Sequence, residues 1–324
     1  MTRRRKVILW IVGGVVVAIG GLALAVVLSS PKPMALPLDV EPRDIPSSWL
    51  EAPEDPDAVT GVEPESADAT PSELGAAEIV ESNEEPVVEV APQPTVMTGR
   101  LTMVGNGRPF GEEAYEVTLT GDRTTLRSTG RFWFKVVLAT IQVTFEQTYE
   151  ADGEFRPASY AADFNAPLGF DRSIRATIDE DRVFVEGADD SEEIVIDPKR
   201  TFTLGTFGTY TLLPRLFRLA SEDGTATFDV LVFGGPPNRD AEESSGLPTM
   251  TIERAGTATL AAGEVLLDVD CYLVSSDLGD SELYAYGDEF LAFRSSGEED
   301  SLWVYRSDFF PDGVEVVGLT SFRW

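Results

Sequence analysis

Residues 140–149 read Thr-Ile-Gln-Val-Thr-Phe-Glu-Gln-Thr-Tyr. The apolar side chains of this stretch fall on alternate positions: Ile141, Val143, Phe145 and Tyr149. A period of two residues places them on one face of a β-strand and the polar side chains on the other. One apolar and one polar face are typical of an antiparallel sheet that is solvated on one side. The stretch therefore predicts a strand of such a sheet.

The same alternation continues along the chain in both directions, at residues 115–120, 173–178 and 226–232. Turn-forming sequences rich in Gly, Asp and Glu separate the alternating runs, at residues 120–122, 151–153, 179–181 and 221–224. Their spacing suits hairpins rather than crossovers through helices. We therefore expect residues 98–324 to form a mainly β domain, a curved antiparallel sheet or half-barrel of roughly a dozen strands.

One segment has a helical period instead. Residues 211–220 place four apolar side chains at i, i+3, i+4 and i+7, namely Leu213, Leu216, Phe217 and Ala220. This pattern predicts a short amphipathic helix between a β meander at 99–204 and a second one at 225–320. We expect the helix to plug the concave side of a single sheet; two separate β subdomains are the alternative.

Residues 131–139 read Arg-Phe-Trp-Phe-Lys-Val-Val-Leu-Ala and are apolar on both faces of a strand. Either both faces are covered by protein, or one face lines an apolar cavity. The second explanation gives a candidate ligand-binding set from this strand and from the helix: Phe132, Trp133, Phe134, Val136, Leu138, Leu213, Leu216 and Phe217.

The amino-terminal end carries an uncharged run of 22 residues, 7–28, which follows four cations at positions 3–6. As a helix it would be about 33 Å long, enough to cross a bilayer. A cleaved signal peptide has a shorter apolar region, so we expect an uncleaved signal anchor. The cations predict that residues 1–6 are cytoplasmic. The domain at 98–324 would then be extracytoplasmic, in the periplasm or at the cell exterior.

Residues 29–97 have the composition of a linker. Between residues 31 and 97 there are 16 acidic and 2 basic side chains, and 12 of the 21 prolines lie in 31–96. Such a segment buries too little apolar surface to offset the entropy of ordering, so we expect disorder. Trp49 lies in the short apolar patch 45–50, which could dock on a partner or fold back; we expect a solvated linker instead.

The net charge of −31 limits the partners. A surface this acidic repels phosphate backbones and anionic headgroups, which excludes nucleic acid and argues against peripheral lipid-surface binding. Basic proteins or divalent cations would be attracted. The acidic clusters at 189–193 and 298–300 are candidate calcium ligands, although neither matches a calcium-loop pattern and solvated turns are the simpler interpretation.

The chain contains no histidine and one cysteine, Cys271. These counts exclude Ser-His-Asp and Cys-His catalysis, histidine-ligated zinc and an internal disulfide. Cys271 shares the apolar phase of a strand-like run at 265–273, which predicts a buried thiol. We expect no cofactor and no enzymatic activity, with a hydrolase as the third-ranked hypothesis.

Several short segments together resemble a known family. Residues 110–117 open a meander, residues 145–149 lead to Phe-Arg-Pro-Ala-Ser-Tyr at 155–160, and a Leu-Leu-Pro helix at 212–214 precedes the second meander. This order resembles the periplasmic lipoprotein-carrier half-barrels and their uncharacterised relatives. The resemblance implies that the sheet's hollow binds a lipid chain or another apolar group. Unlike the soluble carriers, this chain keeps a predicted membrane anchor.

Two hypotheses follow. In the first, a membrane-anchored envelope protein uses its β domain to bind or present a hydrophobic ligand, such as a lipid or an acylated protein. In the second, the domain is a structural or interaction module with a filled core that engages a basic protein partner.

Overall fold

A computed structural model describes residues 40–50, 93–136, 139–167, 171–187, 191–233, 247–277, 279–295 and 302–319. The predicted span at 7–28 and most of the predicted linker lie outside these residues. Within the described ranges, no helix has the length and apolar character needed to cross a membrane.

The described chain is mainly β, as predicted, and contains two short helices and a 3-10 helix. Its helices are α1 (Ser47–Leu50), the 3-10 helix Phe207–Leu212 and α2 (Leu213–Ala220). Its strands are β1 (Thr95–Gly105), β2 (Arg108–Thr120), β3 (Arg123–Val136), β4 (Ala139–Asp152), β5 (Pro157–Asn165), β6 (Arg172–Asp179), β7 (Arg182–Glu186), β8 (Ser191–Val195), β9 (Thr201–Leu204), β10 (Thr225–Val232), β11 (Thr249–Ala262), β12 (Val265–Ser276), β13 (Gly279–Tyr286), β14 (Glu289–Ser295), β15 (Leu302–Arg306) and β16 (Glu315–Leu319).

All sixteen of these strands belong to one open, curved sheet. Along the sheet, the strand order is β8 to β1 in reverse chain order, followed by β15 to β9, also in reverse chain order. β16 lies off this path and pairs with β11. The pairing of β1 with β15, with Leu101 opposite Arg306, joins the two meanders. The chain therefore forms a single sheet, and the alternative of two separate β subdomains is wrong.

One strand pair departs from the expected antiparallel pattern. β9 and β10 are parallel, with Phe202 opposite Val230. The 3-10 helix and α2 lie between these strands in the chain, and such a crossover lets β10 return in the same direction as β9. The sequence correctly predicted a short helix between the two meanders, but it predicted neither a crossover nor the parallel pairing that this crossover makes possible.

Helix α2 fills the concave side of the sheet. Leu213, Leu216 and Phe217 are buried there in one continuous core with the inward faces of both meanders. Pro214 lies in the first turn, where its missing N–H costs no intrahelical hydrogen bond. The plug helix is confirmed at the predicted position.

A second core covers the convex face of the second meander. On β12, Leu267, Val269 and Cys271 point into this outer core, whereas Tyr272 and Val274 point into the concave one. The chain after β15 lies over the outer core and contributes Phe310. The predicted burial of Cys271 is confirmed, and this burial raises the pKa of its thiol to about 12.

The amino-terminal patch packs on the outer core. The Trp49 indole lies 5.0 Å from the Tyr286 ring and 5.1 Å from the Phe309 ring, measured between centroids. The Arg43 amide donates a hydrogen bond of 2.6 Å to the carbonyl of Asp308. Residues 43–49 therefore fold back on the domain, so the expectation of a solvated linker is wrong for this short segment.

The β3–β4 hairpin extends beyond its neighbours in the sheet. Towards the end of the hairpin, β2 pairs with β3 as far as Phe132, and β5 pairs with β4 as far as Thr144. Beyond these points, residues 133–136 pair with residues 139–142 and with no other strand among the described residues. We call these two paired segments the β3–β4 tip.

Candidate functional site

A groove of about 890 Å³ lies beside α2. Four pieces of chain form its walls: the turn after β4, the loop before β9, the end of α2, and the first half of β10. These pieces are far apart in the sequence and meet because the curvature of the sheet brings β9 against β4 and β5. We call this recess the α2 groove.

The walls of the α2 groove include a group of apolar side chains. Phe155, Leu216 and Phe228 are buried and line it. Leu219 also lines the groove, and 58% of its surface is exposed. An exposed leucine beside buried apolar side chains provides a surface on which a hydrocarbon chain can be buried.

The turn after β4 is held in an unusual backbone conformation. Phe155 has a φ of +62°, which a side chain with a Cβ rarely adopts. The Tyr149 hydroxyl donates a hydrogen bond of 3.2 Å to the Phe155 carbonyl, and the Asp152 carboxylate accepts one of 2.9 Å from the Arg156 amide. These bonds fix Phe155 and Arg156 against the groove.

The groove is also lined by three cations, Arg156, Lys199 and Arg200. Arg156 forms an ion pair with Glu154, and Arg200 lies 3.9 Å from the Asp229 carboxylate. No carboxylate in the described part of the chain forms an ion pair with the Lys199 ammonium. The lining contains two acidic residues, Glu154 and Glu222, against these three cations, so its net charge is positive. The chain as a whole has a net charge of −31.

A second recess, of about 160 Å³, opens on the concave side of the sheet. Its walls include Tyr210 of the 3-10 helix and Phe293 of β14, whose rings lie 4.9 Å apart. Ligand pockets usually measure about 300–1,000 Å³, so this recess is too small for a lipid chain. The plug residues lie in the concave core, where the resemblance to lipoprotein carriers implied a hollow.

A buried polar cluster lies under the plug. The Oε1 atom of Glu113 accepts hydrogen bonds of 2.5 Å from both the Ser128 and Thr206 hydroxyls, and one of 3.4 Å from Gln147. Its Oε2 atom is buried without a hydrogen-bond partner among the described residues. Desolvation outweighs these hydrogen bonds and raises the pKa of Glu113 to about 7. The cluster fixes the 3-10 helix to the sheet and encloses no recess.

A buried cation, Arg306, holds the other end of the concave face. Asp308 accepts two hydrogen bonds of 2.7 Å from its guanidinium, and Glu289 forms a second ion pair with it. The guanidinium also lies 4.5 Å from the centre of the Phe309 ring. Because its charge is fully compensated inside the protein, we assign Arg306 a structural role.

The residues predicted to bind a ligand form two separate groups. Phe132 stacks on Phe145 at 4.9 Å, Trp133 lies under Arg131 on the opposite face, and Phe134 is 50% exposed. Val136 ends β3, and Leu138 lies outside the described residues. The second group is on α2: Leu213, Leu216 and Phe217.

Of this candidate set, only Leu216 lines the α2 groove. The structure therefore does not bring the two groups together around one recess. Phe134 is half-exposed and lines neither the α2 groove nor the second recess, so the two explanations for the apolar stretch at 131–139 stay predictions.

Sequence reasoning missed the cations of the groove. Lys199 and Arg200 are the one adjacent pair of cations after residue 6, which is the only local signal that could have singled them out. Arg156 lies in a segment that the sequence analysis used only for the family resemblance. Nothing local relates these positions to α2, because the fold brings them together.

No group of carboxylates in the described ranges has a geometry that could hold a metal ion. The acidic residues 189–190 and 298–300 lie outside these ranges. In the first acidic cluster, Glu193 pairs with Arg182 at 2.6 Å across the β7–β8 hairpin. The calcium hypothesis for the two clusters therefore stays a prediction.

Comparison with known proteins gave no matching family model and no matching curated protein. Among solved structures, a beta-barrel-like protein of the domain of unknown function DUF1849 from Brucella abortus is similar, with a TM-score of 0.40 and 10% identity over 69% of this chain and 98% of that one. A DUF1089 family protein from Pseudomonas aeruginosa has a TM-score of 0.36 and 12% identity over 55% of this chain and 86% of that one. At TM-scores this low, neither likeness supports an argument about function. The resemblance to lipoprotein carriers stays a prediction.

Proposed function

We propose that the domain binds an amphipathic ligand, with an apolar chain and an acidic head, in the α2 groove. The observation that carries this proposal is the combination, in one groove of about 890 Å³, of an apolar wall and an unpaired ammonium group. The ligand class includes free fatty acids and the acyl chains of acidic lipids or acylated proteins.

The apolar chain would lie against Leu216, Leu219 and Phe228. The volume of the groove falls within the range of small-molecule sites, about 300–1,000 Å³. Each Å² of apolar surface that leaves water contributes about 25 cal/mol, so covering the exposed part of Leu219 favours binding. Because the groove is open along one side, a chain longer than the groove could protrude into solvent.

The acidic head would lie at Lys199 and Arg200. Lys199 offers an ammonium group that pairs with no carboxylate of the described ranges, and Arg200 is only weakly engaged by Asp229 at 3.9 Å. The chain as a whole repels anions, so an anion that binds must be held by a local contact. This requirement favours a ligand whose affinity comes from the apolar chain and whose orientation comes from the charge.

Several features of the proposal rest on sequence alone. Residues 7–28 would anchor the protein in a membrane, with residues 1–6 in the cytoplasm and the domain in the periplasm or at the cell exterior. Membrane, lipid or lipoprotein contacts fit this location. We propose a binding function without catalysis, since the groove lining contains no histidine or cysteine that could act as a nucleophile or base.

A second candidate is an interaction module that engages a basic protein partner. The filled concave side favours it, since the hollow expected of a lipid carrier is reduced to about 160 Å³. Residues 98–324 carry 40 acidic and 19 basic side chains, so a basic partner would be attracted over long distances.

Titration of the full chain in detergent-free nanodiscs with a fluorescent long-chain fatty acid tests the proposal. We expect saturable binding, at least about tenfold weaker for Lys199→Glu combined with Arg200→Glu, and weaker competition by the matching fatty alcohol. Arg172→Glu, an exposed charge reversal on β6, is the control. Equal affinities for the double variant and the control would refute the groove, and saturable binding of a polylysine peptide instead would favour the second candidate.

A further inference from the structure

We infer that the β3–β4 tip is a membrane-contacting element that touches the surface of an anionic bilayer. This function is distinct from ligand binding in the α2 groove, because the groove is formed by other elements. The inference rests on the strand pairing of the tip, on the exposure of Phe134 and on the local charge.

The tip projects from the sheet. Residues 133–136 and 139–142 pair with each other, whereas β2 and β5 pair with this hairpin only as far as Phe132 and Thr144. A two-stranded ribbon without further pairing is marginally stable in water, and it offers both faces to its surroundings. The tip therefore extends past both of the strands that flank the hairpin.

Both faces of the tip carry aromatic side chains. Phe134 is 50% exposed, and its neighbour Trp133 lies on the opposite face of the strand. Ile141 pairs with Phe134 across the hairpin and adds apolar surface beside it. Strands that are solvated on one side alternate polar and apolar residues, and the tip does not follow that rule.

The charge of the tip differs from that of the whole chain. Residues 131–145 contain two cations, Arg131 and Lys135, and no acidic residue. Glu112 pairs with both Arg100 and Arg131, which leaves one net positive charge in that group of three. Charges farther than about 8–10 Å are screened at physiological salt, so the tip can approach an anionic surface that the rest of the chain repels. The total charge of the chain opposes binding to an anionic lipid surface, whereas the local charge of the tip does not.

A bilayer fits these side chains better than a protein partner. Tryptophan and cationic side chains are the residues that prefer the membrane–water interface, and the Arg131 guanidinium already lies 5.2 Å from the Trp133 ring. The proposed anchor would also keep the tip close to a membrane. Arg43 is the first described residue that bonds to the domain, and the 15 residues from 28 to 43 would span about 47 Å as polyproline II. This last point alone rests on the proposed anchor.

A site-specific fluorescent label tests the inference in the full chain. Phe134→Cys and, as a matched control, Phe184→Cys on β7 would each carry an environment-sensitive dye, since Phe184 is also partly exposed, at 42%. Native Cys271 is buried and would stay unlabelled. With vesicles of phosphatidylcholine and phosphatidylglycerol, we expect a blue shift and quenching by spin-labelled lipid at position 134 and neither at position 184.

The remaining outcomes decide against the inference. Identical emission at positions 134 and 184 with these vesicles would overturn it. A blue shift at position 134 that is already present without lipid would also overturn it, because such a shift indicates a protein–protein contact.

The charge of the tip is tested by substitution and by salt. Lys135→Glu should abolish most of the blue shift, as should high salt. Flotation of the chain with the vesicles reports separately on the proposed anchor, and fatty-acid titration of the same labelled chain reports separately on the α2 groove.

Discussion

The indole of Trp49 stacks on the phenol ring of Tyr286, with ring centroids 5.0 Å apart and an interplanar angle of 25°. Tyr286 also donates a hydrogen bond of 3.1 Å to the Ser48 carbonyl. A residue from the acidic, proline-rich part of the chain is thereby incorporated into the outer core of the sheet. The effective tether between the proposed anchor and the domain is therefore much shorter than the whole of residues 29–97.

Removing the Trp49 side chain should release this segment. We expect Trp49→Ala to lower the free energy of unfolding by about 2 kcal/mol, because the partly buried indole loses its packing on Tyr286 and Phe309. Hydrogen exchange at the Arg43 amide, which bonds to Asp308, should accelerate at the same time. Leu50→Ala, in the same helix but at a side chain that is 50% exposed, is the control and should change neither quantity appreciably. Unaltered exchange at Arg43 in Trp49→Ala would mean that the stacking does not hold the segment.

Glu113 should make stability depend on pH. Its pKa is raised from 4.5 to about 7 by burial, so the folded state holds a proton that the unfolded state has lost. The resulting stabilisation is fully present below pH 4.5 and is lost as the pH rises to about 7. A difference of this size corresponds to about 3 kcal/mol for a fully buried group.

Glu113→Gln mimics the protonated form and should flatten this dependence. Urea unfolding between pH 5 and pH 8 measures it, and we expect the variant to be more stable than the wild type at the upper end of the range. Glu112→Gln, on the opposite face of β2, serves as the control and should retain the wild-type slope. If Glu113→Gln kept the slope as well, another group would have to be responsible.

Gly208 should tolerate no side chain. A Cβ at this position would lie 2.6 Å from the Glu113 Oε1 atom, closer than real Cβ atoms approach other heavy atoms. We expect Gly208→Ala to reduce the free energy of unfolding by about 2 kcal/mol, although alanine has the better helix propensity. Gly318→Ala on β16 is the matched control, because its nearest contact would be 3.6 Å. Thermal unfolding of the two variants decides the matter: equal melting temperatures would show that the plug is loosely packed.

The Cys271 thiol should be inert in the folded protein. Burial raises its pKa to about 12, and the reactive thiolate is therefore almost absent at neutral pH. Titration with a thiol reagent should show no fast reaction under native conditions and one equivalent after denaturation. A fast native reaction would require the outer core to open, and it would also disqualify the labelling design for the β3–β4 tip.

The sequence predicted those features that depend on neighbouring residues. The alternation at 140–149 identified β4, and the spacing of Leu213, Leu216 and Phe217 identified α2 and its buried face. Side-chain periodicity reports which face of an element is apolar, and this information is local. It contains nothing about which distant strands pair.

The features that were missed all depend on contacts between distant parts of the chain. The pairing of Leu101 with Arg306 joins the two meanders, and no local pattern relates these two positions. The α2 groove likewise needs Arg156, Lys199 and Phe228, which come from three different loops and strands. Residues 132–134 were correctly singled out as apolar on both faces, but only the register of β2 and β5 shows that the hairpin projects beyond the sheet.

Photocrosslinking tests the central claim, binding of an acidic amphiphile in the α2 groove, most directly. The full chain would be irradiated with a diazirine-bearing fatty acid, and the modified peptides would be located by mass spectrometry. We predict adducts on the groove peptides, at residues 154–156, 198–201 and 216–228, and competition by unlabelled fatty acid. Adducts confined to other parts of the chain, or unaffected by the competitor, would contradict the claim.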